Sequence, residues 1–223
     1  MKVKALILGM GLLGSLSAFA AGELRYGVEA EYPPFESRNS AGQLEGFDID
    51  LGNAICKAAQ LKCSWVEGAF DELITGLVAK KFDAINSAMN ITDQRRKSID
   101  FPQPIYRIPS QLVGKAGSGM QATTEGLQGK TIGVLQGSIQ ETFAKEHWEK
   151  HGVTVVSYKD QNMAWADLLN GRIDASLVMS AAGQAGFLSK PQGKGFGFIG
   201  QPVADDTILG SGIGFGLRKG AAA

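Results

Sequence analysis

The sequence has 223 residues, of which 44% are hydrophobic and 20% are charged, and this composition excludes a disordered chain, a collagen-like repeat and a coiled coil. A chain of this length makes one large domain or two small ones with a sizeable core. Lysine plus arginine and aspartate plus glutamate both number 22, so the formal net charge is zero and a nucleic-acid partner held through its phosphates is disfavoured.

The first 20 residues predict a secretory signal peptide. Two lysines precede an uncharged run from Ala5 to Ala18, and Ala18 and Ala20 are the small residues, two apart, that a signal peptidase requires. The run is too short to span a bilayer comfortably, and no other stretch of about 20 apolar residues follows. We therefore predict export, cleavage after Ala20 and a soluble mature protein.

From Leu24 onward, short apolar runs alternate with segments of helical period, which is typical of α/β layering with largely parallel strands. The first half of the sequence predicts strands at Leu24–Val28, Cys63–Glu67 and Phe82–Asn86 and helices at Asp48–Gln60, with Asp48 as N-cap, and at 71–80. The second half predicts strands at Thr131–Leu135, Val153–Val156 and Ile173–Val178 and helices at Ser138–Lys150 and 162–169. The two halves therefore repeat one β-α-β-α-β pattern.

A weak internal repeat supports two similar lobes. Residues 77–84 and 168–175 align without gaps, and in both a helix runs into a basic residue, an apolar residue and Asp-Ala. Alternating glycines over 210–216 indicate a crossing back into the first lobe. The predicted organisation is a signal peptide over 1–20, a first lobe over 21–107, a second lobe over 108–207 and the return crossing over 208–223. A cleft between two lobes suits a small ligand, and a single doubly wound sheet is the alternative.

Cys56 and Cys63 predict one disulfide, because export places two cysteines that are close in sequence in an oxidising compartment. The bond would join the end of the first helix to the start of the next strand, and closing so small a loop stabilises the fold by about 2 to 3 kcal/mol. Two unpaired thiols are the alternative. Zinc is disfavoured because neither histidine is near the cysteines and no CxxC spacing occurs.

Few residues would support catalysis. His147 and His151 lie one turn apart on a predicted helix, but Trp148 stands where the metalloprotease pattern needs glutamate, and Gly152 is typical of a helix C-cap. We interpret both histidines as surface residues at a helix end. No Gly-x-Ser-x-Gly elbow follows the signal peptide. The sequence therefore predicts no catalytic residue, no metal and no cofactor.

Two strand-to-helix turns suit the binding of an anion. Over Asn86–Arg95 a strand ends and a helix capped by Thr92 begins, so free N–H groups and the Arg95 guanidinium converge. Over Leu135–Gln140 a strand, a glycine and a helix N-terminus repeat this arrangement. Each turn alone is also common in proteins, and Arg95 alone is equally typical of a surface residue. Facing each other across a cleft, the two turns would hold one carboxylate or phosphate.

Several short segments carry a resemblance to a known family: Glu31-Tyr-Pro-Pro-Phe-Glu36, Gly46–Leu51, Ile91–Arg95, Gly133–Gly137, Gln140–Phe143, Glu146–Trp148 and Gly171–Ala175. The chain resembles the amino-acid-binding periplasmic solute-binding proteins of ABC transporters (family 3), in particular the lysine/arginine/ornithine- and histidine-binding members, from Leu24 to Lys219. The resemblance implies the α/β, two-lobed periplasmic binding protein fold of type II. It also implies a periplasmic monomer that closes on an amino acid and then docks on an inner-membrane ABC permease. The spacing of the two cysteines matches the disulfide of those members.

The resemblance also implies roles for individual residues. The ligand α-carboxylate would be bound by Arg95, Ser87, the Ala88 N–H and the N–H groups of Ser138 and Ile139. Tyr32 and Phe70 would sandwich the ligand side chain, and Glu29 would bind its distal cationic group. Asn90 and Gln140 would line the cleft, with Leu135 and Asp48 near its mouth. Packing alone is the alternative for the two aromatic residues, and solvation is the alternative for Glu29.

The sequence departs from the family pattern where the ligand α-ammonium would bind. Met179 takes the place of an aspartate there, and loss of that carboxylate should weaken the binding of a free amino acid. Further changes are Glu29 for aspartate, Ala88 and Asn90 for serine, and Ile139 for threonine. Two ligand hypotheses follow. The ligand is a basic amino acid whose ammonium is held weakly by Asn90 and carbonyls, or it carries a substituted α-nitrogen, as opines do.

Two other classes of function are alternatives. A periplasmic dehydratase of the same fold would need an acid or base in the cleft, for which Glu29 is the candidate. The sensor module of a receptor is disfavoured because no transmembrane or kinase segment follows. Family members also continue with about two helices beyond Leu217–Gly220, and we expect a chain that lacks them to expose apolar surface in the first lobe.

Overall fold

A computed structural model describes residues 22–221, so the predicted signal peptide lies outside the described residues. In chain order the strands are β1 (Glu23–Val28), β2 (Ser37–Arg38), β3 (Leu44–Glu45), β4 (Lys62–Glu67), β5 (Ala84–Ile85), β6 (Ile99–Asp100), β7 (Ser110–Lys115), β8 (Thr131–Leu135), β9 (Thr154–Tyr158), β10 (Ala175–Met179), β11 (Phe196–Ile199) and β12 (Gly216–Arg218). The helices are α1 (Phe47–Ala58), α2 (Leu73–Val78), α3 (Asp93–Arg96), α4 (Ile139–His147), α5 (Gln161–Leu169), α6 (Ser180–Gly183) and α7 (Asp206–Leu209).

The first five-stranded sheet has the order β4-β1-β5-β12-β6 and forms the first lobe. Strand β1 lies between β4 and β5 and is parallel to both, as crossovers through α1 and α2 require. Strand β12 is antiparallel to β5 and β6 and returns the chain from the second sheet. The carboxyl ends of β1, β4 and β5 therefore share one edge, and the loops that follow them meet there.

The second five-stranded sheet has the order β11-β7-β10-β8-β9 and forms the second lobe. Strand β8 is parallel to β9 and β10, whereas β7 is antiparallel to β10 and β11. The carboxyl ends of β8 and β10, at Leu135 and Met179, again share one edge. A buried apolar cluster that includes Leu73 and Ile85 of the first lobe and Trp165 and Met179 of the second extends across both sheets, so the two edges face each other.

The predicted disulfide between Cys56 and Cys63 is confirmed. The two Cα atoms are 5.8 Å apart, and the bond joins the last turn of α1 to the start of β4. The residues that the structure describes contain no free cysteine. The bond therefore fixes α1 against the outer strand of the first sheet.

Predicted elements agree with the structure where apolar residues recur at regular spacing and where a residue that favours a helix end is present. Strand β8 has the predicted bounds, and the hydroxyls of Thr92 and Ser138 cap α3 and α4. Gly152, with a φ of +87°, ends the helical segment after His151 as predicted. The predicted strand Phe82–Asn86 shortens to β5, although the N–H groups of Asp83 and Asn86 on either side still donate to carbonyls of β1.

Two predictions about the fold are wrong. Gly46, with a φ of +125°, is the N-cap of α1, and Asp48 is a residue inside the first turn whose carboxylate binds elsewhere. The sheets are not largely parallel, because β7 and β12, which connect the lobes, run antiparallel to their neighbours. Sequence analysis also misses β7 and β11, whose glycines Gly114 and Gly197 interrupt the apolar pattern.

Candidate functional site

A cavity lies between the two sheets, where the loops after the first-lobe strands face the start of α4 and the end of β10. The side chains and backbone that line it come from both lobes. The lining residues are Tyr32, Glu36, Phe70, Ser87, Ala88, Asn90, Arg95, Leu135, Ser138, Ile139, Gln140 and Met179. The structure thus brings together every predicted ligand-binding residue except Glu29, and it adds Glu36.

Arg95 supplies the positive charge of the cavity. The Thr92 hydroxyl accepts the Arg95 N–H at 3.1 Å and so fixes the start of α3. The guanidinium donates to the Asn90 carbonyl at 2.7 Å and, across the cleft, to the Gly137 carbonyl at 3.0 Å, and it lies 5.4 Å from the centre of the Phe70 ring. Burial lowers the pKa of Arg95 to about 10, so it stays protonated at neutral pH. Of its five N–H donors, those that the two carbonyls leave free can bind a carboxylate.

The start of α4 forms the opposite wall. Gly137 has a φ of +76°, which turns the chain from β8 into the helix, and its N–H donates to Glu141 Oε2 at 2.6 Å. The Ser138 hydroxyl accepts the Glu141 N–H at 3.1 Å as the N-cap. The Ser138 N–H donates to the Leu135 carbonyl at 3.2 Å, so this predicted ligand donor is already engaged within the turn. Gln140 is held by a 2.8 Å bond from its Nε2 to Ser110 Oγ.

Tyr32 and Phe70, predicted to enclose a ligand side chain, both line the cavity and are buried. The Tyr32 hydroxyl accepts the Met179 N–H at 3.2 Å, so it also bridges the two lobes. The ring of Tyr32 stacks on Phe35 with 6.1 Å between the ring centres. The two aromatic side chains are therefore held in place by contacts of their own.

Glu36 is the lining residue that sequence reasoning misses. It is 1% exposed, its Oε1 accepts the Ser87 hydroxyl at 3.0 Å, and its Oε2 is buried without a partner among the described residues. Burial and the charges of Asp48 and Glu29 raise its pKa well above the usual range. No local sequence pattern indicates that this carboxyl group is buried, because Ser87 and Asp48, which act on it, come from distant parts of the chain.

Glu29 lies behind the cavity wall instead of in it. Its N–H donates to Ser87 Oγ at 3.0 Å, and its Oε1 accepts the Glu31 N–H at 3.1 Å, so the side chain folds back on its own loop. The remaining oxygen, Oε2, is buried without a partner among the described residues. Burial is the main cause that raises the pKa of Glu29 to about 8. Its predicted contact with a ligand stays a prediction.

Asp48 connects α1 to the loop that follows β5. Its Oδ2 accepts the Ala88 N–H at 2.7 Å, and its Oδ1 accepts the Tyr106 hydroxyl at 2.8 Å. Ala88 has a φ of +43°, a left-handed conformation that this bond helps to hold. The Ala88 N–H, predicted as a ligand donor, is therefore bound to Asp48 in this structure.

Contacts between the lobes surround the cavity. Asp71 Oδ2 accepts from Gln136 Nε2 at 2.8 Å and from Lys159 Nζ at 3.3 Å. Elsewhere on the rim the Asn162 amide donates to Glu31. Together with the bonds from Arg95 and to Tyr32, these contacts show that the two lobes are closed on each other.

The two histidines do not form a metal site. His147 Nε2 lies 2.7 Å from Asp205 Oδ2, and His151 is exposed in the 3-10 turn after α4. Over residues 22–221 no group of three or more histidine, cysteine, aspartate or glutamate side chains is arranged to hold a metal ion. None of the helices in that part of the chain is both long enough and apolar enough to cross a membrane.

Known proteins with similar sequences define the family. Residues 24–194 match the bacterial extracellular solute-binding proteins, family 3. The chain is 46% identical over 219 residues to the lysine/arginine/ornithine-binding periplasmic protein of Escherichia coli (strain K12), covering 97% of this chain and 84% of that protein. It is 45% identical over 223 residues to the histidine-binding periplasmic protein of the same strain, covering 97% and 86%. The chain belongs to the bacterial extracellular solute-binding proteins, family 3.

A solved structure agrees with this assignment. An ancestral arginine-binding protein bound to arginine matches with a TM-score of 0.83 at 32% identity, covering 90% of this chain and 86% of that chain. The predicted two-lobed α/β fold is thereby confirmed. Because the relatives are solute-binding proteins, this chain is a solute-binding protein and not an enzyme, and the dehydratase alternative is not supported.

Proposed function

We propose that the protein is the periplasmic component of an ABC importer, that its lobes close on a basic amino acid, and that it delivers this ligand as a monomer to an inner-membrane permease. The two named relatives are periplasmic proteins that bind lysine, arginine, ornithine or histidine according to their names. Each of these amino acids has a carboxylate at one end and a basic group at the other. A site for them needs a cation and an anion that do not neutralise each other.

The observation that carries the proposal is an unpaired cation and an unpaired acid in one cavity. Arg95 and Glu36 both line it, yet the guanidinium donates to two backbone carbonyls and Glu36 accepts only from the Ser87 hydroxyl. A cation and a buried acid that lack partners of opposite charge are unfavourable unless other groups compensate. A ligand with a carboxylate and a distal cation supplies both missing partners.

The proposed binding mode follows from these two groups. Arg95 takes the α-carboxylate as a fork, with the N-terminus of α4 at Ile139 assisting. Tyr32 and Phe70 enclose the aliphatic part of the side chain. Glu36 receives the distal cation, and Glu29 lies behind it in the first lobe.

A second class of ligand is favoured by Met179. This residue lines the cavity at the end of β10 and is 4% exposed, and its thioether offers no charge to an α-ammonium. An amino acid with a substituted α-nitrogen, such as an opine, would place an added group where the family has a carboxylate. We therefore keep N-substituted basic amino acids as the second candidate.

We further propose that export removes residues 1–20, that the first lobe covers 21–107 and the second lobe 108–207, and that residues 208–223 return to the first lobe. The crossing of β7 and β12 between the two sheets supports these limits. The oxidised Cys56–Cys63 pair suits a periplasmic location.

Calorimetric titration with lysine, arginine, ornithine, histidine, glutamine and octopine tests the proposal. We expect micromolar or tighter binding of at least one cationic ligand and at least tenfold weaker binding of glutamine, which lacks the distal charge. Native mass spectrometry of freshly purified protein identifies any ligand that is already bound. Equal affinity for glutamine and arginine would contradict the proposed role of Glu36, and tight binding of octopine alone would establish the second candidate.

A further inference from the structure

Three carboxyl groups of the first lobe form one buried cluster. Glu29 follows β1, Glu36 precedes β2 and Asp48 lies in the first turn of α1, and they are 4%, 1% and 2% exposed. Ser87 joins two of them, since its hydroxyl accepts the Glu29 N–H and donates to Glu36 Oε1. The charge of Asp48 also acts on Glu36 and raises its pKa. All three carboxyl groups belong to the first lobe, so a rigid movement of the second lobe leaves the distances between them unchanged.

The cluster contains more acid oxygens than hydrogen-bond donors. Asp48 accepts from the Ala88 N–H and the Tyr106 hydroxyl, as an ionised carboxylate should. By contrast, Oε2 of Glu29 and Oε2 of Glu36 are buried and have no partner over residues 22–221. In the same part of the chain no lysine or arginine forms an ion pair with any of the three carboxyls.

The charged groups that face Glu29 and Glu36 are also acidic. Glu31, on the same loop, and Asp160, the N-cap of α5 in the second lobe, add negative charge around Glu29. Asp48 and Glu29 do the same around Glu36, with the neutral Tyr32 and Ser87 beside them. Arg95, the cation of the cavity, donates hydrogen bonds to the carbonyls of Asn90 and Gly137 and not to either glutamate. Burial and like charge therefore both favour the protonated form of the two glutamates, and they raise the pKa of Glu29 to about 8.

We propose that this acid cluster holds a proton in the ligand-free protein and exchanges it for the cationic group of the ligand, so that uptake of a basic amino acid releases a proton to the solvent. This inference rests on the proposed function and concerns the same cavity. A cation beside Glu36 provides the missing opposite charge, and the carboxyl then ionises. A neutral ligand leaves the proton in place, because the cluster would otherwise hold an uncompensated buried charge.

The direction of the pH dependence follows from linkage. Below the pKa of the cluster in the ligand-free protein, each cation must displace a proton, so its affinity should rise with pH by up to about tenfold per unit for one proton released. Because burial and the charges of Asp48 and Glu29 hold the pKa of Glu36 well above its usual range, the rise should begin above the usual range of a glutamate and level off above the pKa of the ligand-free cluster. Citrulline, the neutral analogue of arginine in which a urea replaces the guanidinium, should show no such rise.

The experiment is calorimetric titration of the full chain with arginine and with citrulline, at neutral pH, in buffers of different ionisation enthalpy. We expect arginine to release between half a proton and one proton per ligand bound, and citrulline to release none. Glu36→Gln should reduce the release and flatten the pH dependence for arginine. The matched control, Asp50→Asn, removes an exposed acid two residues from Asp48 and should change neither.

Infrared spectroscopy of the ligand-free protein separates failure of this inference from failure of the proposed function. A protonated carboxyl band at neutral pH that weakens in Glu36→Gln or Glu29→Gln supports the stored proton even if no basic amino acid binds, in which case the proposed function fails alone. Absence of that band overturns the inference whatever binds. Arginine binding without proton release, and with the band unchanged, overturns the exchange while leaving the proposed function intact.

Discussion

The two walls of the cleft differ in chemistry. The first-lobe wall carries the ionisable side chains, Arg95 and Glu36, with further acids behind it. The second-lobe wall offers a helix N-terminus and neutral side chains, among them Ser138, Gln140 and Met179. The first lobe itself supplies hydrogen-bond partners to both ionisable residues, since the hydroxyl of Thr92 accepts the Arg95 N–H and the hydroxyl of Ser87 donates to Glu36. We therefore expect the first lobe to recognise the charges of the ligand and the second lobe to close over it.

The largest effect that this division predicts comes from Arg95→Ala. The substitution removes the cation from the charged wall, and the ligand carboxylate then has no charged partner in the closed cavity. We expect the binding free energy of a basic amino acid to weaken by roughly 3 to 5 kcal/mol in calorimetry. Arg96→Ala is the matched control, because that guanidinium donates to the Phe101 carbonyl and lies outside the lining. If Arg95→Ala keeps micromolar affinity, the anion is bound elsewhere.

Met179→Asp tests whether the neutral second-lobe wall sets the ligand class. A carboxylate at this position would accept the α-ammonium, and hydrogen bonds to charged groups contribute roughly 1.5 to 3 kcal/mol. We expect arginine, lysine, ornithine or histidine to bind more tightly by that amount and octopine to bind more weakly. Met179→Asn, which has the shape without the charge, is the control. An unchanged affinity for arginine would show that the ammonium is bound at another place.

Gly137→Ala tests closure by the second lobe. A Cβ at Gly137 would lie 2.7 Å from the Cβ of Asp71, which belongs to the other lobe, so the added methyl group opposes the closed form. Overpacking of this kind costs roughly 1 to 3 kcal/mol, and we expect ligand affinity to fall by that amount. Gly171→Ala carries the same left-handed strain, with a φ of +68°, but has no atom within 4 Å of the new Cβ. Both variants should lose a similar amount of free energy of unfolding. If Gly137→Ala and Gly171→Ala bind the ligand with equal affinity, the added methyl group at Gly137 does not oppose closure.

The sequence is most informative about groups whose role is local. The cap at Thr92, the strand β8 and the Cys56–Cys63 bond depend on residues that are close in sequence, and each is predicted from them. Most of the predicted ligand residues also meet in one cavity, since they lie in turns that follow parallel strands.

Contacts between distant segments escape sequence reasoning. The partner that engages the Ala88 N–H is Asp48, forty residues earlier in the chain, and no local pattern indicates that bond. The same holds for Glu36, which is buried because Ser87 and Asp48 meet it from other elements. The buried acids of the first lobe are therefore the hardest residues to assign, whereas Arg95 is predicted from its place after a strand.

The smallest expected effects come from the two helix caps, Thr92 in the first lobe and Ser138 in the second. They test whether the first lobe alone positions the group that binds the ligand carboxylate. Thr92→Ala removes the hydroxyl that accepts the Arg95 N–H, and Ser138→Ala removes the one that accepts the Glu141 N–H. Each should lower the free energy of unfolding by about 1 kcal/mol, measured by urea denaturation. If charge recognition belongs to the first lobe, Thr92→Ala should also weaken ligand binding more than Ser138→Ala, because it loosens the backbone that positions the guanidinium. Thr92→Ser keeps the hydroxyl and should restore both the free energy of unfolding and the ligand affinity. A larger loss of affinity in Ser138→Ala would show that the ligand carboxylate is bound mainly by the second lobe.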